Sequence, residues 1–249
     1  MSADLAPAAA TPPAFLPPDG ARPLAAPNAH GSDRRIRLVN VVKEFHTQFG
    51  MKRVIDGITF DIAYGEKIGV LGRNGAGKST LVKLIGGVEP PTSGTIDIGM
   101  KMSWPVAFGG GFDLSMSGYD NIRFIARLYD KSIPDMIDYV DDFAELGNYL
   151  KLPVRTYSTG MRARLMFALT LGIDFECILI DEVIAVGDQR FHRRCHEELF
   201  VKRKDQSMIL ISHDVNTIRE YCNKALVLKS GRGRVFEDVD FAISIYASL

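Results

Sequence analysis

Three cysteines in 249 residues are too few for a disulfide framework, and their odd number leaves at least one thiol unpaired. Cys177, Cys195 and Cys222 also lack the C-x-x-C spacing of a zinc site, so they fit a reducing compartment. A redox-sensing thiol is the functional alternative, and an apolar strand opening at Cys177 argues against it. No run of about eighteen apolar residues is present, so the chain supplies no bilayer-spanning helix of its own. Charge of one sign is missing as well: 30 Lys+Arg balance 30 Asp+Glu. A nucleic-acid-binding domain favours a clear basic excess, so no nucleic-acid partner is expected. Residues 1–34 are Ala- and Pro-rich and lack both the basic start and the continuous apolar stretch of a signal peptide. Pro12, Pro13, Pro17 and Pro18 break any helix there, and this segment reads as a disordered tail.

What the chain does have is enough apolar residue, 46% against 24% charged, to bury the core of one large α/β domain over residues 35–249. Alternation over Ile36–Val41 and Val54–Ile62 predicts two half-buried strands, and their proximity predicts an antiparallel layer. Short apolar runs at Lys67–Leu71, Cys177–Ile180, Ser207–Ser212 and Ala225–Lys229 predict further strands, with Thr95–Ile98 after a Pro-Pro-Thr-Ser-Gly turn. Helical spacing predicts Lys78–Ile85, Ser158–Leu171, Gln189–Lys204 and Val215–Tyr221. Strands alternating with helices predict a parallel sheet. The helical stretch at about 117–173 predicts a subdomain inserted between two halves of the sheet.

Gly72-Arg73-Asn74-Gly75-Ala76-Gly77-Lys78-Ser79 fits G-x-x-x-x-G-K-[ST], with a strand before it and a helix after it. Gly72, Gly75 and Gly77 let the backbone curl so that successive N–H groups, with Asn74 and Thr80 flanking, face one anion. The helix N-terminus adds its positive end. Lys78 brings a cation to the β- and γ-phosphates, and Ser79 brings a hydroxyl to Mg²⁺. Ile178-Leu179-Ile180-Asp181-Glu182 is an apolar strand ending in two carboxylates: Asp181 for the metal, Glu182 to polarise an attacking water. His213 follows another strand and reaches the same sheet end if the strands are parallel. Ser158 and Gly160 open a helix either as a cap and nothing more, or as a second anion site made by a helix N-terminus, a hydroxyl and a flexible glycine. One chain needs one triphosphate cradle, so the second site makes sense when it closes over the nucleotide of another copy.

These segments together resemble the ATPase subunits of ABC transporters over roughly Arg35 to Leu249. Gly72–Ser79 matches Walker A, Ile178–Asp181 matches Walker B, and Glu182 stands at the catalytic glutamate. Tyr157–Met161 sits at the LSGGQ signature, Asp188 at the D-loop acid and His213 at the switch histidine. Phe45 stands where the family stacks an aromatic on adenine, though it also reads as a core aromatic closing a strand. The chain departs from the family pattern in two places. The signature reads Tyr-Ser-Thr-Gly-Met, and no Gln lies between Gln48 and Gln189, so Asp113 looks like the replacement for the Q-loop glutamine and a Mg²⁺ contact. These departures, with Ser103-Trp104-Pro105 and Gly109-Gly110-Gly111-Phe112, resemble the capsular polysaccharide exporters of bacteria. O-antigen and teichoic-acid exporters are the wider group; some carry a C-terminal sugar-binding domain, for which the stretch after His213 is too short.

The resemblance implies the fold of an ABC-type P-loop NTPase: a mixed, mainly parallel sheet core, an antiparallel β layer and an inserted helical subdomain. It implies ATP hydrolysis with Mg²⁺ by a homodimer, docked with an integral membrane transport subunit that moves a polysaccharide. It also implies a peripheral site on the cytoplasmic face of the bacterial inner membrane. A soluble ABC ATPase acting on DNA or ribosomes is the alternative. Against it stand a single P-loop and the Glu197 and Glu198 interspersed in the basic helix Arg190–Lys204. A P-loop kinase or GTPase is a third reading; Asn223-Lys224 is not an Asn-Lys-x-Asp base reader.

Overall fold

The computed structural model describes residues 34–105, 113–181 and 188–249. The tail through residue 33, the Gly109–Phe112 segment and Glu182 lie outside them. Arg34, assigned to the tail by the sequence, donates to Glu176 Oε1 and lies 3.5 Å from the Tyr64 ring centroid.

β1 (Arg35–Thr47) and β2 (Gly50–Ala63) form one long antiparallel hairpin, and β4 (Ser93–Ile98) pairs antiparallel with β1 on its other side. The second sheet has five strands in the order β5-β6-β3-β7-β8. β3 (Lys67–Gly72), β5 (Cys177–Asp181), β6 (Ser207–Ile211) and β7 (Lys224–Lys229) run parallel, and β8 (Arg232–Phe236) closes one edge antiparallel to β7. The apolar runs of β5 and β6 follow from burial on both faces, as parallel strands covered by helices require.

That sheet separates two apolar clusters. Along β5, Ile178 and Ile180 face one cluster and Cys177 and Leu179 the other; along β6, Met208 and Leu210 alternate with Ile209 and Ile211. One cluster holds the antiparallel layer and α1 (Lys78–Ile85); the other holds the remaining helices. α2 (Gly118–Leu128), α3 (Ile133–Ala144) and α4 (Thr159–Gly172) lie between β4 and β5, with two short 3₁₀ turns between α3 and α4. Ser117, Ser132 and Ser158 cap these three helices through their side-chain oxygens.

α5 (Gln189–His196) continues into a π-helical turn at Glu197–Lys202, so the single helix predicted for Gln189–Lys204 is broken. The wide turn carries Glu198 to 9% exposure, where it accepts from Lys202 and Arg203, and sets Phe200 in a 3.7 Å stack with Tyr221. α6 (Val215–Tyr221) and α7 (Val239–Ala247) complete the chain. All three cysteines are free and buried, and burial pushes each thiol up to about 12. A group held neutral this firmly is a poor redox sensor. Among the described residues no helix is long and apolar enough to cross a membrane.

Candidate active site

The cradle grows from β3. Gly77 caps α1 at φ 111°, a left-handed backbone with no side-chain cap. A Cβ there would stand 2.9 Å from Ile55 Cδ1 and 3.0 Å from the Val54 carbonyl, so β2 presses directly against the turn. Gly75 is also left-handed, at φ 81°, but a Cβ there meets nothing within 4 Å. Arg73, Asn74, Gly75 and Ser79 are exposed, while Thr80 and Lys78 are half-buried. Lys78 Nζ donates to the Gly72 carbonyl at 2.6 Å, which folds the ammonium back over the loop. No acidic residue occupies the first turn of α1, so no carboxylate of the helix itself opposes an anion at its N-terminus.

Parallel register brings the other groups to the same edge. Asp181, the last residue of β5, is level with Ile211 of β6, and Ile211 is level with Val70 of β3, two residues before Gly72. His213 emerges from β6 on that edge. Its turn is tight: Asp214 N donates to Ser212 Oγ, and Asp214 accepts from Asn216 N and Thr217 Oγ1 at the start of α6. His213 also lines a cavity of about 720 Å³ together with His192, His196 and Tyr221. Expectation and structure therefore agree that the phosphate loop, Asp181 and His213 share one end of the sheet.

Ser158 and Gly160 begin α4 elsewhere in the chain. Ser158 Oγ accepts from Met161 N at 3.2 Å, and the nearest atom to a Cβ on Gly160 is Ser158 Oγ at 3.9 Å. The approach is fixed by Tyr157, 3% exposed, whose hydroxyl donates to the Tyr149 carbonyl at 2.6 Å. α4 is tied to α5 through Arg164, which donates to Asp188 Oδ2 at 2.7 Å and lies 4.8 Å from the Phe191 ring centroid. Asp188 caps α5 by accepting from Phe191 N. That bond, with the Arg164 guanidinium, holds its carboxyl below the usual range.

Asp113 sits at the entry to α2, with its carboxylate turned onto its own loop. It accepts from Ser115 N at 2.8 Å and Ser115 Oγ at 2.6 Å, and these bonds lower its pKa. Buried Asn121, which stands in no sequence motif, clamps the Asp113 backbone by accepting from its N–H and donating to its carbonyl. Ser103 carries no local sequence signal of its role. It is 2% exposed and joins the segment after β4 to β5, its N–H donating to the Cys177 carbonyl and its Oγ accepting from Leu179 N. Phe45 is half-buried on β1 opposite Lys52. Lys43 is paired with the same Ile55 that packs on Gly77, so Phe45 lies two residues from that point of contact.

A family model described as ABC transporter matches residues 55–185. The chain is 55% identical over 211 residues to the ATP-binding protein BexA of Haemophilus influenzae, covering 85% of this chain and 97% of that protein. It is 52% identical over 214 residues to the capsule polysaccharide export ATP-binding protein CtrD of Neisseria meningitidis serogroup B, covering 86% and 99%. Its fold matches a solved dimeric ATP-binding cassette in a post-hydrolysis state bound to ADP and Pi. The TM-score is 0.69 at 19% identity, over 81% of this chain and 97% of that one.

Proposed function

Because the chain belongs to the ABC transporter family and is an ATPase of its cassette type, we propose that it powers export of a capsular polysaccharide across the bacterial inner membrane. The observation that carries this reading is the near full-length likeness to a capsule polysaccharide export ATP-binding protein. Two copies meet head to tail, with ATP between Gly72–Ser79 of one and Ser158–Gly160 of the other. Both helix N-termini attract the γ-phosphate, so the nucleotide itself joins the copies.

Lys78 releases the Gly72 carbonyl and turns its ammonium to the phosphates, and Asn74, Gly75 and Thr80 line the same cradle. Glu182 orients the attacking water and His213 supports it. The Ser79 hydroxyl and Asp181 carboxylate are hard oxygen donors brought to one sheet edge, which suits Mg²⁺. Mg²⁺ held there supplies charge neutralisation at the phosphates. Asp113 serves this ion only if its carboxylate leaves Ser115. Catalysis is then positioning and electrostatics supplied by the chain. The partner is a separate membrane subunit docked on the helical subdomain around Tyr119–Leu150, with this chain peripheral on the cytoplasmic face.

Expression of Glu182→Gln in cells tests the cargo. Loss of surface polysaccharide with accumulation of glycan inside is expected. Unchanged polysaccharide, with the variant shown to be dominant and ATP-trapped, keeps the ATPase and discards the cargo.

A further inference from the structure

Lys43 is 8% exposed, although it is a lysine on a strand of the outer layer. Lysines are rarely buried this far without a partner, and a buried ion pair alone adds little net stability over an apolar side chain of like volume. Its Nζ donates to Glu89 Oε2 at 2.9 Å and to the Pro90 carbonyl at 2.9 Å. The same ammonium lies 4.9 Å from the centroid of the Phe45 ring. Glu89 belongs to the turn that ends α1: the N–H groups of Val88 and Glu89 both donate to the Lys83 carbonyl. Thr92 stitches that turn to β1 again, its N–H donating to the Val42 carbonyl and its Oγ1 accepting from Glu44 N. A continuous chain of contacts therefore runs from the N-terminus of α1, along the helix, through Glu89 and Lys43, to the ring of Phe45.

We propose that Lys43 is a positioning residue for nucleotide binding: its ammonium, pinned by Glu89 and Pro90, holds the Phe45 ring as a platform for the base at a set distance from the phosphate cradle. This rests on the reading of Phe45 as the aromatic that stacks on adenine. A cation against an aromatic face is attracted by the ring quadrupole, and the attraction strengthens as the pair is desolvated. Here it restrains the ring from the protein side, so less freedom is lost when the base stacks.

Titration calorimetry with the purified full chain tests this, using ATP and inorganic tripolyphosphate, which has the phosphates and no base. In Lys43→Leu the Kd for ATP rises roughly three- to tenfold, the loss of one desolvated cation–π restraint, while the Kd for tripolyphosphate is unchanged. Equal weakening of both ligands makes Lys43 a structural residue and overturns the proposal; no change in either overturns it as well. If Lys43→Leu shows no cooperative melting, Glu89→Gln at the outer end of the chain decides by the same two readings, with a smaller shift. Phe45→Leu separates the two levels of inference. Unchanged ATP affinity in Phe45→Leu discards the base platform itself, whereas a weakened Phe45→Leu beside an unaffected Lys43→Leu discards only the role of Lys43.

Discussion

Lys78, Gly77 and Gly75 lie within four positions of each other, yet their replacements act on different quantities. Lys78→Ala removes a charge-assisted bond to phosphate, and ATP affinity measured by calorimetry is expected to fall about ten- to hundredfold, with the melting midpoint nearly unchanged. Near-normal turnover in that variant would sink the assignment of the cradle. Gly77→Ala instead forces a side chain onto φ 111° and against Ile55 and Val54, with an expected loss of roughly 2–4 kcal/mol in denaturant unfolding. Gly75→Ala meets no neighbour, so only the backbone strain remains, about 1 kcal/mol. Equal stabilities for the two variants would contradict the packing of β2 on the turn. At this scale the cradle was legible because glycine and lysine at fixed spacing have one strong chemical reading. Lys43 was not legible, because its partner Glu89 is 46 residues away and only the tertiary fold brings them together.

Among the elements, the caps of α4 and α5 offer the sharpest test. Ser158→Ala removes one acceptor for Met161 N and is expected to cost about 1 kcal/mol, while ATP-induced dimer formation on size exclusion is lost. Asp188→Ala removes the α5 cap and the Arg164 ion pair together; the pair is open to solvent at its Asp188 end and adds little, so the stability loss stays near that of the cap alone. The strands of the parallel sheet and most helices were readable as short apolar runs and helical periods. β8 is illegible because Arg232–Phe236 carries little apolar signal and packs by antiparallel pairing with β7. The π-helical turn was illegible for another reason: Glu198 bonds Lys202 and Arg203, and Arg203 Nη2 donates to the Leu171 carbonyl, a distant contact that overrides the local period.

Across the whole molecule, the titrating groups bound the pH range of stability from both sides. Asp56, bonded by Arg232 and then Arg53, and Asp214, bonded by Thr217, have carboxyls below their ordinary range, as does Asp188. A depressed folded-state pKa gives stability above the unfolded value, about 4, that is lost as pH falls through the folded value. The three buried thiols are pushed up to about 12, so their contribution is whole below the unfolded value, about 8.5, and is lost as pH rises toward the folded one. Melting midpoints should form a plateau from about pH 5 to 8 and decline on both sides. A midpoint still rising below about pH 4 would contradict the carboxylate bonds.

The two-sided burial of the parallel sheet has a consequence in time. Backbone amides of β5 and β6 open only when both apolar clusters open, so they should exchange with deuterium last. The far end of the β1–β2 hairpin, where Thr47 to Met51 are exposed, should exchange early. Phe45 lies toward this quick end, while Gly72 ends β3, inside the slow sheet. A nucleotide thus meets a patient hand at its phosphates and, at its base, a ring that Lys43 steadies beside a restless hairpin tip.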